Sequence, residues 1–394
     1  MAERSGPSRI LACILVGLGA FLLVVAILIP TFTVGKLAKT PLDLEVTTVA
    51  EGTGSVLNSQ ALLAGKAEVD TNVPIVAQRY VTTEEPSDSD VITVQAGQTV
   101  RRTDKQGDTG LLSATVDKVT ADRKTSMPVD DPVGTIQTEP NKPAEELPRD
   151  GLQYKFPFDV EQKSYPYFDL NARATQDINF VEETEINGMK VYHFNQTVEP
   201  VDLSKVTKSP SNKLQLPAET WGVPGGTLPI TMTRYYTNVR DVWVEPETGV
   251  IVKGQEQIHQ YYARNKAKPE VDVLKVDLPF NEETIEFQIQ QARDGMDKLS
   301  TFGRTLPIVA GILGVIALIA GLVLGLRARG SGNGNENEPA PVDGDYPDDS
   351  GSGYAAAPAS DRDWTTDQTE EIRDWNSDQT EEIPIQDPRR GYDQ

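Results

Sequence analysis

Two stretches decide the architecture of this chain: residues 10–29, ILACILVGLGAFLLVVAILI, and residues 306–326, LPIVAGILGVIALIAGLVLGL. Neither carries a charge, and at about 1.5 Å per helical residue each crosses a hydrocarbon core of about 30 Å. Burying two all-round apolar helices inside an otherwise polar chain is the far weaker reading. Residues 10–29 are longer than the apolar core of a cleaved leader, and Pro30-Thr31-Phe32-Thr33 is no small-residue cleavage site, so an uncleaved anchor is expected. Lysines and arginines flank both spans on both sides, so the charge rule nearly ties. The short N-terminus and the tail are placed in the cytoplasm and the segment between the spans outside. The expected organisation is therefore a cytoplasmic stub at 1–9, spans at 10–29 and 306–326, an extracytoplasmic domain at 31–305, and a cytoplasmic tail at 327–394.

The composition excludes several functions. The 394 residues hold 37 Lys+Arg against 59 Asp+Glu, a net charge of −22. That opposes nucleic-acid binding, which needs a basic surface. One Cys and two His rule out a disulfide framework and the common zinc and haem sites. There is no H-E-x-x-H, G-x-S-x-G, S-x-x-K or phosphate-binding G-x-x-x-x-G-K-[ST]. His193 and His259 sit in alternating segments without a nucleophile or carboxylate at a recognisable spacing, and read as structural. No enzyme activity, metal or cofactor is expected, and acidic clusters such as Glu84-Glu85 and Asp88-Ser89-Asp90 read as solvated loops.

Between the spans the pattern is mostly period two, which predicts an α+β domain dominated by antiparallel strands. Residues 42–46 alternate and meet an expected turn at Glu51-Gly52-Thr53-Gly54. Residues 91–94 precede an expected turn at Gly97. Residues 234–244 and 250–252 flank Pro246-Glu247-Thr248-Gly249, the chemistry of a hairpin. The clearest strand by pattern is residues 152–160, LQYKFPFDV, with Tyr154, Phe156 and Phe158 on one face and Pro157 marking an edge. Residues 121–151 and 204–229 read as long loops. Asn281, followed by Glu282 and Glu283, is placed to cap a helix whose apolar stripe is Ile285, Ile289, Ala292, Met296 and Leu299. In the second span Ala317, Gly321 and Gly325 form a small-residue face. It either admits close approach of another helix or reflects ordinary membrane-helix composition.

The acidic tail is expected to be disordered and contains an 11-residue repeat over 363–384, DWTTDQTEEIR followed by DWNSDQTEEIP. Trp364 and Trp375 could anchor a docking motif. Thr369 and Thr380 could be phosphorylated and read by a phosphothreonine-binding or growth-complex partner; a plain solvating tail is the rival reading.

Several motifs in order resemble an actinobacterial PorA-like family. They are Val49-Ala50-Glu51-Gly52-Thr53-Gly54, Gly151-Leu152-Gln153-Tyr154-Lys155-Phe156-Pro157-Phe158, Tyr165-Pro166-Tyr167-Phe168-Asp169, Gly188-Met189-Lys190-Val191-Tyr192-His193-Phe194 and Trp243-Val244-Glu245-Pro246-Glu247-Thr248-Gly249-Val250-Ile251-Val252. The likeness covers about residues 8–327. It implies an inner-membrane protein with a periplasmic domain, in bacteria with a mycolic-acid outer membrane. It further implies a non-enzymatic part in envelope lipid traffic and polar growth. The implied lipids are trehalose monomycolate and lipomannan or lipoarabinomannan glycolipids. The implied partner is the resistance-nodulation-division transporter that exports mycolate precursors. On that expectation Tyr154, Phe156, Phe158, Tyr165, Tyr167, Phe168 and Trp243 line a groove for an envelope glycolipid, the rival being a plain aromatic core. A scaffold that recruits envelope synthases is the alternative function, and an enzyme with an unrecognised carboxylate site ranks below it. A porin is ranked last too, since two spans enclose no pore and an outer-membrane barrel needs many alternating strands of about ten residues and no apolar helices.

Overall fold

The structure, a computed structural model, describes residues 7–330. Helix α1 (Pro7–Leu28) runs into a wide π turn at Ile29–Thr33. Pro30 has no N–H for the regular ladder, and the Thr31 hydroxyl donates back to the carbonyls of Ile27 and Leu28 at 3.1 and 3.0 Å. Thirteen strands follow: β1 (Glu45–Leu57), β2 (Val69–Glu84), β3 (Val91–Arg102), β4 (Leu111–Asp122), β5 (Thr135–Gln137), β6 (Glu145–Glu146), β7 (Tyr165–Asp169), β8 (Ala174–Ile186), β9 (Met189–Asp202), β10 (Lys213–Pro217), β11 (Pro229–Val244), β12 (Ile251–Ala263) and β13 (Val271–Pro279). Helix α2 (Glu282–Ser300) is capped by the Asn281 side chain, which accepts from the Thr284 amide. It continues through a second π turn, Thr301–Thr305, into α3 (Leu306–Gly330).

The strands form one antiparallel sheet in the order β6-β5-β4-β3-β2-β1-β13-β12-β11-β9-β8-β7, with β10 paired to β11. The sheet curls until its two ends meet. The chain leaving β6 pairs with β7: the Leu152 amide donates to Pro166 O and the Phe168 amide to Leu152 O, both at 2.8 Å. Arg173, just after β7, pairs with Glu145 of β6 at 2.9 Å. Closure leaves no long open edge, the usual hazard of antiparallel sheets. The interior is filled. Val56, Ile75 and Val100 from one arc share a core with Val198, Tyr236 and Ile258 from the other. A second, aromatic core gathers Phe156, Tyr165, Tyr167 and Phe194. Outside the ring, α2 lays Ile285, Ile289 and Ala292 on Val191 and Val252.

The seam is held by a buried ion pair. Asp117 of β4 receives two bonds from Arg149, one at 2.7 Å, and both side chains are 1 % exposed. Gln153 bridges the pair, accepting from Arg149 at 2.7 Å and donating to Asp117 at 3.0 Å. The Arg149 guanidinium also lies 5.2 Å over the Phe168 ring of β7.

The antiparallel-sheet architecture agrees with the alternation of the sequence, but several local readings are corrected. Residues 152–160 are not a strand. Asp159 adopts φ 55°, and Phe156, Asp159 and Val160 donate instead to Gly249, Glu247 and Pro246. Phe156 is fully buried while Tyr154 and Phe158 turn elsewhere, so the three do not share a face. Gly52 and Gly97 do not turn the chain, since β1 and β3 run through them. Gly52 serves close approach: a Cβ there would lie 1.9 Å from the Asp277 carbonyl of β13. The two stretches read as loops hold β5, β6 and β10 as well. Their composition is loop-like, but single anchors such as Ile136 and Trp221, 4 % and 3 % exposed, pin them to the ring.

Helices α1 and α3 form an antiparallel hairpin, because Gly19 meets Gly314 while Ala12 meets Gly321. A Cβ on Gly19 would sit 2.7 Å from Gly314 O, and one on Gly321 2.8 Å from a Val16 methyl. The small-residue face of α3 therefore packs on α1. The remaining surface is apolar, with Phe21, Ile27 and Ile316 more than half exposed. At 22 and 25 residues the helices are long enough to span a bilayer, and this is a membrane protein.

Removing one partner of the seam pair leaves a buried charge unmatched, which costs about 3–5 kcal/mol. Asp117→Ala is therefore expected to lower Tm by about 2–4 °C per kcal/mol lost. Lys142→Ala, which breaks the exposed Lys142–Glu139 pair, should change stability by less than about 0.5 kcal/mol. Thermal unfolding in detergent compares the two, and equal losses would show that the seam pair does not hold the ring.

Candidate functional site

A cavity of about 290 Å³ opens where the ring meets the helices. One wall is aliphatic and comes from the inward positions of four neighbouring strands: Val46 of β1, Val81 of β2, Ile92 and Val94 of β3, and Val119 of β4. Period-two alternation aims these side chains together. The segment 153–158 forms the opposite wall. Leu299 and Gly295 of α2, with Leu37 after α1, form the floor, which places the cavity beside the pair of apolar helices.

Polar side chains also line this space. The Lys155 amine donates to the carbonyl of Phe156 at 3.0 Å and sits 3.8 Å over the Phe158 ring. Burial lowers its pKa to about 7, against the opposing pull of the Glu245 carboxylate. Glu245 is itself tied to the backbone amides of Glu247 and Thr248 at 2.8 and 2.7 Å. Burial, and then the Asp117 charge, hold the Tyr154 phenol well above its ordinary range, and it donates to Asp117. Gln288 of α2 donates to Ile251 O at 2.9 Å, but its carbonyl oxygen is buried without a partner. Arg79 reaches the cavity with its guanidinium 5.7 Å from the Tyr154 ring, bonded to Gln98.

Arg79, Thr48, Ile251 and Phe280 also line a smaller pocket of about 60 Å³. Beyond it lies a charge network inside the ring. Arg240 pairs with Asp169 at 2.9 Å and with Glu256 at 3.1 Å, and Tyr236 donates to Asp169 at 2.9 Å. Burial alone would raise the Glu256 pKa, but Arg240 and Arg79 together hold it below the ordinary value. These groups are mutually satisfied and stiffen the ring.

Of the aromatic residues singled out by pattern, Tyr154 and Phe158 line the cavity. Phe156, Tyr165, Tyr167 and Phe168 are core residues, between 0 and 8 % exposed. Trp243 lies on the outer face of the ring, stacked on His193 at 4.6 Å, with Lys253 over its other face at 4.5 Å. The pattern therefore joins residues that the fold separates. His193 and His259 each bond a carboxylate after all, Asp241 and Asp272, both at 2.8 Å. Those partners sit across the sheet, where no linear spacing reveals them. The aliphatic wall and Gln288 were not singled out from the sequence. The alternation of β1–β4 was the only signal for the wall, and Gln288, on α2, had none. Trp364, Thr369, Trp375 and Thr380 lie outside the described residues.

The amine at position 155 is held in a place that favours its neutral form, so it binds fewer protons folded than unfolded between about pH 7 and 10.5. Stability from this site therefore rises as pH rises through that window, and below it the burial cost is fully present. Lys155→Met is expected to raise Tm by a few degrees at pH 6.5 and by less at pH 10, as measured by thermal unfolding at both values. A gain independent of pH would show that the amine is not desolvated.

Against known proteins, the family described as Porin PorA matches residues 11–323. A Porin PorA of Corynebacterium resistens is 35 % identical over 402 residues, covering 82 % of this chain and 97 % of the relative. A Porin PorA of Corynebacterium amycolatum is 32 % identical over 385 residues, covering 82 % and 98 %. These names overturn the expectation of an accessory protein in envelope lipid traffic and polar growth, and favour the porin reading that was ranked last. The objection that two helices enclose no pore concerns a single copy of the chain. By matching both helices and the whole ring, the chain belongs to the Porin PorA family.

Proposed function

We propose that the chain acts as a porin in the cell envelope, the activity named for its relatives. The observation that supports this reading most is the extent of the match. Residues 11–323 include both membrane helices and the complete ring, so the named activity accompanies this architecture rather than an added domain. The passage is formed between copies of the chain. One hairpin with Gly19 against Gly314 leaves no lumen, and the interior of the ring is packed. Nor does the ring itself sit in the bilayer, because its strands expose Glu51, Glu182, Glu183 and Glu185. In this reading the chain crosses the membrane twice. The hairpin holds the ring outside the cytoplasm at one surface, and both termini lie at the other. Residues 30–305 carry 41 acids and 29 bases, so cations are the favoured solute.

The full chain, reconstituted into planar bilayers, is expected to give discrete conductance steps whose reversal potential in a KCl gradient shows cation preference. Gly321→Leu, which forces the hairpin apart, should remove the steps while the ring keeps its far-ultraviolet spectrum. Absence of steps at every protein-to-lipid ratio would end the porin reading.

A further inference from the structure

A buried lysine ordinarily has a carboxylate beside it, because leaving its charge unmatched in an apolar setting is costly. Lys155, half-buried, forms no ion pair among the described residues, and the Glu245 carboxylate that pulls on its charge is not bonded to it. Its amine meets a backbone carbonyl and the face of Phe158. The other charged groups around the cavity do not supply a partner. Lys39, Arg79 and Lys298 add like charge. Asp122 is occupied by the amides of Lys124 and Thr125, and Asp294 accepts from Gln290 at 2.7 Å. Glu245 is capped by its own turn. The amine is thus partly neutral and nucleophilic near pH 7, on a residue that lines a space with aliphatic walls. Gln288 also lines this space, although its unpartnered carbonyl oxygen is sealed away from it.

We propose that Lys155 is a covalent capture site for an aldehyde carried on an apolar body. The nitrogen lone pair adds to the carbonyl carbon, forming the C–N bond. The carbonyl π pair moves to oxygen, which takes up the proton released by nitrogen and gives a carbinolamine. Loss of that hydroxyl with the remaining nitrogen-bound hydrogen expels one water and leaves an imine. No oxidant or reductant is needed, and the step reverses when water returns. The aliphatic wall of β1–β4 holds the body of the guest and limits water, which favours the imine. The inference is independent of the porin reading, since it concerns the ring and requires no conductance.

The test is reductive trapping on the full chain in detergent, with hexanal or formaldehyde and cyanoborohydride, read by peptide mass spectrometry. An amine titrating near 7 is about half neutral at pH 7, whereas an ordinary lysine is neutral in well under about 1 % of molecules. Lys155 is therefore expected to trap hexanal at pH 7 faster than the median lysine by on the order of 10- to 100-fold. Its rate should rise through pH 7 and level off, while the other lysines climb only toward pH 10. The preference for hexanal over formaldehyde should appear at Lys155 and at no exposed lysine. Val94→Asp, which makes the wall polar, should reduce that preference with the amine retained, and circular dichroism confirms that the ring is folded. Trapping at Lys155 no faster than at the median lysine would overturn the proposal, as would formaldehyde labelling there without hexanal labelling.

Discussion

The ring depends on one constraint: a sheet of this length must close, and the closure passes through the Asp117–Arg149 pair. Strands β5 and β6 are too short to finish the sheet by themselves, at three and two residues. The chain after them has to bridge to β7, and at that point a guanidinium and a carboxylate are sealed in together. Such a pair stabilises little in net terms, since desolvation offsets its attraction. Its value is registry. Arg149 satisfies Asp117 only when Gln153 and Phe168 are also in place, so a slipped seam leaves a buried charge unmatched.

The same closure shapes the cavity. The segment 147–160 that completes the ring also carries Tyr154, Lys155 and Phe158 across the inner faces of β1–β4. Tyr154 belongs to both, since its phenol joins the seam at Asp117 and its ring faces the cavity. A ring closed by a regular strand would have buried those side chains or turned them outward. An irregular closing segment, anchored on the 245–250 turn by backbone bonds, holds a lysine where the apolar walls penalise its charge. Sites of this kind concentrate where the regular pattern breaks.

Glycine faces let α1 and α3 pack closely, and the unbroken run from α2 through the π turn into α3 joins the ring to this pair of apolar helices. Because α2 supplies Gln288, Gly295 and Leu299 to the cavity, a shift of the hairpin and a change in the cavity move through one helix.

Two long apolar helices, the antiparallel character of the domain, the cap at Asn281 and the hairpin around 246–249 were legible in the sequence. Each is set by neighbours within one helical turn or one β-turn: apolar run length, period-two alternation, a capping amide, a Pro and a Gly. The sequence pattern misplaced 152–160, because alternation there arises from residues that alternate between core and cavity without strand hydrogen bonds. It also joined Trp243 to aromatics that face the other side of the sheet. Ring closure, the partner of Asp117, the carboxylates beside both histidines and the isolation of the Lys155 amine were decided only in three dimensions. Those contacts join residues between 13 and 48 positions apart, or depend on a carboxylate being turned toward its own backbone, and no local periodicity records which distant strand the sheet will bring alongside.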